Sequence, residues 1–169
     1  FEDGTTLRRM PEIDIFFAVF RKQGGRSPDE LTFDYADRIG RLLARVHAVG
    51  ARSAAPHRLR LDPATYGTEN LEFILGHELL PKDLKSPFRN TVQQIVGESE
   101  PLFADRTFQR VHGDCHFGNI LLGSEAMFLV DFDDMVQAPC VQDLWLVVPG
   151  TDSEGKNLLH AMVEAYEEM

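Results

Sequence analysis

The sequence predicts an α+β fold, and three observations carry that expectation. Strand-like runs rich in β-branched and aromatic residues open the chain. Amphipathic helical patterns fill its middle and its end. Between them, two short apolar runs near residues 120 and 129 are separated by a polar turn. Strands grouped apart from helices, without strict alternation, are the mark of this class. At 169 residues, 43% of them apolar, the chain can bury one hydrophobic core.

Local signals support each element in turn. Residues 5–10 and 13–20 read as strands; the second runs Ile-Asp-Ile-Phe-Phe-Ala-Val-Phe. Asp3-Gly4 and Pro11-Glu12 are turn signals around the first. Gly24-Gly25 marks another turn. Ser27-Pro28-Asp29-Glu30 has capping-box form, and Thr32 or Asp34 are rival helix starts. Tyr35, Ile39, Leu42, Leu43 and Val46 then share one helical face, which Gly50 ends as a glycine just past the helix. His47 near that end is favoured by the helix dipole and reads as structural. A polar linker covers 51–61, and Asp62-Pro63 caps a further segment. In it Leu71, Phe73, Ile74, Leu75 and Leu79 suggest a short helix, and Pro81 and Pro87 bracket a break. Residues 88–103 are amphipathic on Val92, Ile95, Val96 and Leu102, although Gly97 weakens the helix. After Ala138-Pro139, residues 141–148 read as a buried helix stopped by Pro149-Gly150. A last helix uses Leu158, Leu159, Met162, Val163 and Tyr166.

Composition limits the partners. Seventeen basic against 27 acidic residues give a formal charge of −10. Nucleic-acid binding needs clustered Lys and Arg, so no nucleic-acid partner is expected. Arg8-Arg9 and Arg58-x-Arg60 read as solvated surface. Cys115 and Cys140 form no Cys-x-x-Cys pair and no disulfide framework, which fits a reduced, cytoplasmic setting. No apolar run approaches the roughly 18 residues that span a bilayer, and no signal peptide opens the chain. The chain begins without Met, and we read it as a piece of a longer protein.

The stretch from Val111 to Asp134 concentrates the chemistry. It reads Val-His-Gly-Asp-Cys-His-Phe-Gly-Asn-Ile-Leu-Leu, a polar turn, then Met-Phe-Leu-Val-Asp-Phe-Asp-Asp. If the two apolar runs pair as a hairpin, Asp114 and Asn119 meet Asp131, Asp133 and Asp134 at one end of it. Such an oxygen-donor set suits a hard divalent cation such as Mg²⁺ with room for phosphate oxygens.

His-Gly-Asp-x-His-x-x-x-Asn followed by an apolar strand ending in Asp-Phe-Asp resembles the catalytic core of the aminoglycoside phosphotransferase and choline kinase superfamily, itself similar to protein kinases. Residues 16–20, Gly24-Gly25-Arg26, the run from Gly40 to His47, the run from Val141 to Trp145 and the run from Glu164 to Glu168 resemble the bacterial stress response kinase A subfamily, in the same order. The resemblance implies a protein kinase-like fold. Residues 1–25 would be the end of an N-terminal lobe and its hinge, and residues 26–169 a mostly helical C-terminal lobe carrying the catalytic hairpin, itself cut short at its C-terminal end.

It also implies roles. Asp114 matches the aspartate that orients the attacking hydroxyl, Asn119 a metal-binding asparagine, and Asp131 the metal-binding aspartate of the Asp-Phe-Gly position. Asp133 stands where protein kinases have glycine and is a candidate for a second metal or for substrate. His112 and His116 would brace the loop, and Asp143 would anchor it from the following helix. Phe20 would lie in the hinge that binds adenine. The implied activity is transfer of the ATP γ-phosphate to a hydroxyl with Mg²⁺, on serine or threonine of a protein. A small acceptor of aminoglycoside, choline or homoserine type stays open, because the segment from Asp131 to Asp143 is short and lacks Ala-Pro-Glu. An acidic cleft would steer a cationic acceptor.

Other readings compete. His112, Asp114 and His116 are a conceivable zinc set without an obvious fourth ligand. A non-catalytic binding module is a further alternative, and a redox role for Cys115 another. No Gly-x-Gly-x-x-Gly and no Val-Ala-Ile-Lys-like segment is present. The chain alone is therefore expected to bind ATP weakly and turn over little. Its front strands, left as an exposed edge, invite pairing with another copy.

Overall fold

The computed structural model describes residues 4–148 and 150–169, so Asp3 of the expected Asp3-Gly4 turn and Pro149 of the expected stop lie outside it. Strands β1 (Arg8–Met10) and β2 (Ile15–Phe17) pair antiparallel, with Arg9 opposite Phe16. Both are shorter than predicted, and all their residues are exposed. A two-stranded ribbon with no layer packed on it has little to extend its pairing. The chain rejoins the body at Arg26, which exchanges backbone hydrogen bonds of 3.2 and 2.8 Å with Leu122. Gly25 permits that approach, because a Cβ there would lie 2.9 Å from the Leu122 carbonyl.

Helix α1 (Phe33–Gly50) starts at Thr32, whose side chain accepts the Tyr35 N–H. The Ser27 capping box is not used: the pairing at Arg26 keeps the chain extended there. The buried face is Ala36, Ile39, Gly40, Leu43, His47 and Gly50, while Tyr35, Leu42 and Val46 are only partly covered. Gly50 is not the left-handed cap its sequence position suggested. It is the last helical residue, Ala51 caps in right-handed conformation, and a Cβ at Gly50 would collide with the Arg110 carbonyl.

Asp62 caps a π-helical stretch, Pro63–Glu69, that runs straight into α2 (Asn70–Gly76). Helix α3 (Lys82–Phe103) begins earlier than predicted and carries Pro87 and Pro101 inside it. The break placed at Pro87 is absent. No residue of α3 is fully buried, so a carbonyl that proline leaves unbonded can be met by water.

Two small antiparallel pairs complete the scaffold: β3 (Gln109–Val111) with β6 (Val136–Ala138), and β4 (Ile120–Leu122) with β5 (Met127–Leu129). The expected buried helix at 141–148 is a single turn, α4 (Gln142–Trp145), with Asp143 and Leu144 buried but Trp145 57% exposed. Asp152 caps α5 (Ser153–Glu167), which buries Leu158, Met162 and Ala165. Helices α1 and α5 cross so closely at Gly40 that a Cβ there would strike the Met162 carbonyl. Their apolar faces meet Ile120, Met127 and Cys115 in the main core, while Val111, Val136, Ala138 and Leu61 form a smaller one. The β4–β5 hairpin is thus seated on the α1–α5 core, with its open end turned to the loops before and after it. No described helix is long and apolar enough to cross a membrane.

Candidate active site

The loop between β3 and β4 is held from beneath by one buried carboxylate. Asp143 Oδ2 accepts the His112 N–H at 2.7 Å and His47 Nε2 at 2.8 Å; Oδ1 accepts the Gly113 N–H at 2.8 Å. Asp143 is fully buried and His47 nearly so. A buried carboxylate is tolerated when donors satisfy it, and three do so here. Burial by itself would lower the pKa of His47, but hydrogen bonds to Asp143 and Cys140 outweigh it and raise it to about 9. The Tyr166 hydroxyl completes the chain, 2.9 Å from His47 Nδ1. Cys140 is half-buried beside this group; burial would raise its pKa, and the His47 imidazolium lowers it instead.

His112 has both ring nitrogens engaged with backbone. Nδ1 accepts the Asp114 N–H at 3.3 Å, and Nε2 donates to the Val130 carbonyl at 2.8 Å. Its ring also meets Phe132 edge-on, centroids 4.7 Å apart. These bonds leave His112 no lone pair for a metal, which removes the zinc reading. Gly113 has φ of 89°, and a Cβ there would collide with the Asp134 carbonyl. The glycine is required on both counts.

Asp114 faces outward, 41% exposed at its side chain. Its Oδ2 receives the Asn119 amide and His116 Nε2, each at 3.3 Å. His116 Nδ1 accepts the Gly118 N–H at 2.9 Å, capping the 3₁₀ turn Phe117–Asn119, so its proton lies on Nε2, toward Asp114. Asn119 Nδ2 also donates to the Asp114 carbonyl at 2.9 Å. With its nitrogen so used, the Asn119 side-chain oxygen Oδ1 is the free end. No described buried side-chain polar atom lacks a partner, so that oxygen opens to solvent.

Across the hairpin, the Val130 N–H donates to the Asn119 carbonyl at 2.9 Å. Asp131 comes next, exposed, with φ of 63°. That left-handed conformation is uncommon outside glycine, and Asp is among the residues that tolerate it. Asp114 and Asn119 are therefore bonded together at the end of the hairpin where the second strand leads into Asp131. Asp133 and Asp134 line a cavity of about 460 Å³ together with Asp114. Phe20 stands apart from that cavity, 85% exposed in the segment before Arg26.

Cys115 adjoins Asp114 in sequence but is fully buried. Burial first, then Asp143 and Asp114, push its pKa well above the usual thiol range. A protonated, inaccessible thiol is a poor peroxide target, so the geometry opposes a redox role there. Sequence reading gave Tyr166, Gln142 and Arg58 no part in this site. Gln142 Nε2 donates to the Gly113 carbonyl at 3.2 Å, and Arg58 Nη1 to the Asp133 carbonyl at 2.6 Å. No spacing in the chain signals these pairs, which join residues 29 and 75 positions apart.

Comparison with known proteins places the chain in a family. The model of the phosphotransferase enzyme family matches residues 4–169. Stress response kinase A of Escherichia coli K12 is 36% identical over 155 residues, covering 91% of this chain and 47% of the relative. The serine/threonine protein kinase RdoA of Salmonella typhimurium is 32% identical over 154 residues, covering 90% and 47%. The chain thus spans about half the length of these curated relatives. Among solved structures, amicoumacin kinase hAmiN in complex with AMP-PNP, Ca²⁺ and Ami superposes with a TM-score of 0.70 at 19% identity, over 98% of this chain and 54% of that one. The gentamicin–APH(2")-IIa complex gives 0.62 at 16%, over 90% and 56%. The architecture is accordingly a protein kinase-like one, and the chain belongs to the phosphotransferase enzyme family.

Proposed function

We propose that the protein moves the γ-phosphoryl group of ATP to a hydroxyl, with Mg²⁺, and that the acceptor is a serine or threonine of a protein. One observation carries the reading. Asp114 and Asn119 are hydrogen-bonded together at the foot of a hairpin whose other strand, bonded to Asn119 through the Val130 N–H, runs on into Asp131. Phosphoryl transfer asks a protein for positioning and charge neutralisation more than for covalent work. Asp114 supplies the positioning. The Asn119 amide holds its Oδ2, with His116 Nε2 3.3 Å away, and Oδ1 takes no hydrogen bond among the described residues, so it is left to receive the acceptor's hydroxyl proton.

The donor set fits Mg²⁺. Among the described residues no group of three or more His, Cys, Asp or Glu is assembled to hold a metal. Mg²⁺ does not require one, since it is usually held by one or two side-chain oxygens together with substrate phosphates. Asn119 Oδ1 and the Asp131 carboxylate would hold it, with Asp133 as a further candidate, and it would supply neutralisation of phosphate charge. Asp143, His112 and His116 serve as braces: Asp143 through the loop amides, His112 through Val130, His116 through Asp114 itself. In this reading residues 1–25 end an N-terminal lobe whose hinge, at Phe20, meets adenine, and residues 26–169 belong to the C-terminal lobe.

The protein acceptor is supported by relatives named as stress response and serine/threonine protein kinases at 32–36% identity. A second reading has its own observation. The chain passes from Asp131 to the buried Asp143 in a short segment with a single turn of helix, leaving little for gripping a peptide. A small hydroxyl-bearing molecule would need no more. The experiment is ATP turnover by the full-length protein against a panel of proteins and small alcohols, with Asp114→Asn as control. Phosphate transfer surviving in that variant overturns the proposal.

A further inference from the structure

Residues 55–61, which look from sequence like a solvated linker, lie as a strap along β6. Gln137 Nε2 donates to the carbonyls of Ala55 at 3.0 Å and Arg58 at 3.1 Å. The Gln137 N–H donates to the Leu59 carbonyl, and its carbonyl accepts the Leu61 N–H, both at 2.9 Å. Arg60 pairs with Asp62 at 2.7 Å and lies over the Phe108 ring, 3.3 Å from its centroid. The backbone is therefore fixed on both sides of residue 58.

From this strap, Arg58 reaches across the edge of the 460 Å³ cavity, and its Nη1 donates to the Asp133 carbonyl at 2.6 Å. Asp133 lies in the exposed turn that begins with Asp131. That turn is otherwise held from the catalytic-loop side, by Phe132 on His112 and by the Asp134 carbonyl against Gly113. Arg58 holds it from the opposite side. The remaining order is slight: one backbone hydrogen bond, Met135 to Phe132 at 3.2 Å, and a left-handed residue at its start.

We infer that Arg58 is a positioning residue that sets the Asp131–Asp133 turn at its working distance from Asp114. The inference rests on the phosphotransferase reading and extends it to the strap. The guanidinium suits the task, being planar, permanently charged and pre-organised. The strap carrying it is itself pinned by Gln137, so its position is imposed by the fold. A displacement of about 1 Å in a reacting group can cost up to roughly 10²-fold in rate, and a turn this lightly held can shift that far.

The test uses the full-length protein with Arg58→Met and Arg58→Lys, and Arg52→Met as an exposed control. Two readouts are taken: steady-state kinetics across a Mg²⁺ titration, and the thermal stabilisation given by ADP with Mg²⁺ or with EDTA. Expected for Arg58→Met is a fall in kcat of roughly tenfold or more, little change in KM for ATP, and a higher half-activating Mg²⁺ concentration. The melting temperature without ligand stays at the wild-type value. The stabilisation by MgADP shrinks while that by ADP in EDTA is retained. Arg58→Lys recovers part of the loss, and Arg52→Met behaves as wild type. Wild-type kcat and Mg²⁺ response in Arg58→Met overturns the inference, and so does an equal loss of ADP binding with and without Mg²⁺. If the wild-type protein transfers phosphate to nothing in the panel, the phosphotransferase reading fails instead. The MgADP comparison then still decides the role of Arg58, and a MgADP stabilisation unchanged by the substitution overturns it.

Discussion

His47 Nε2 meets Asp143 Oδ2 at 2.8 Å, tying the last turn of α1 to the helix α4 that follows β6. The same carboxylate holds the His112 and Gly113 amides. One buried ion pair thus links the main helix, the loop and, through Tyr166, the C-terminal helix α5.

Replacing His47 by Leu should leave Asp143 buried with an uncompensated charge. Breaking a buried pair from one side costs about 3–5 kcal/mol. The expected outcome in urea unfolding is a loss of that size, with a smaller loss for His47→Gln, which keeps a donor.

The same pair makes stability depend on pH. The folded pKa of His47 is raised from 6.5 to about 9. Below the unfolded value both states carry the proton, and the contribution is fully present. Between 6.5 and about 9 the unfolded state releases the proton while the folded state keeps it, so stability falls as pH rises. Thermal unfolding from pH 6 to 10 should show this decline, and His47→Gln should flatten it. A wild-type midpoint that rises across that window contradicts the assignment.

On the proposed function, Asp114→Asn removes the proton acceptor while keeping the shape. General-base losses run to about 10²–10⁴-fold, so kcat of the full-length protein should drop by that order while its circular dichroism stays unchanged.

Asp131→Gly should separate stability from activity. Glycine adopts φ of 63° without strain, so the melting temperature should hold or rise slightly. Mg²⁺-dependent transfer should vanish with the carboxylate. A variant that keeps its activity would remove Asp131 from the site.

Gly40→Ala would drive a Cβ into the Met162 carbonyl, a backbone atom of α5 that cannot swing aside. Overpacking of this kind costs about 1–3 kcal/mol, which differential scanning calorimetry would register as a lowered midpoint.

The division between what was legible and what was not reflects the range of each interaction. Thr32 and Asp62 were readable as caps because a cap is a contact within three residues. Pro87 misled for the opposite reason. A proline breaks an isolated helical pattern, yet α3 runs through it because a helix with no fully buried face can leave a carbonyl to water. Gly50 misled because a glycine at a helix end looks like a cap, and only the approach of Arg110 gives its reason. Arg58 looked like solvated surface because its partner is a backbone carbonyl 75 residues away.

By itself, then, the sequence determined the α+β class, the cores of most elements, and the hairpin between Asn119 and Asp131. Each of these rests on periodicity or spacing within a short window. Tertiary structure decided which oxygen of Asp114 is left open, that Asp143 and His47 share a charge beneath the loop, and that a strap from residue 55 reaches the Asp133 turn. Those outcomes depend on which distant segments touch. Contact across the core arises from close packing of the whole chain, and no local pattern encodes it.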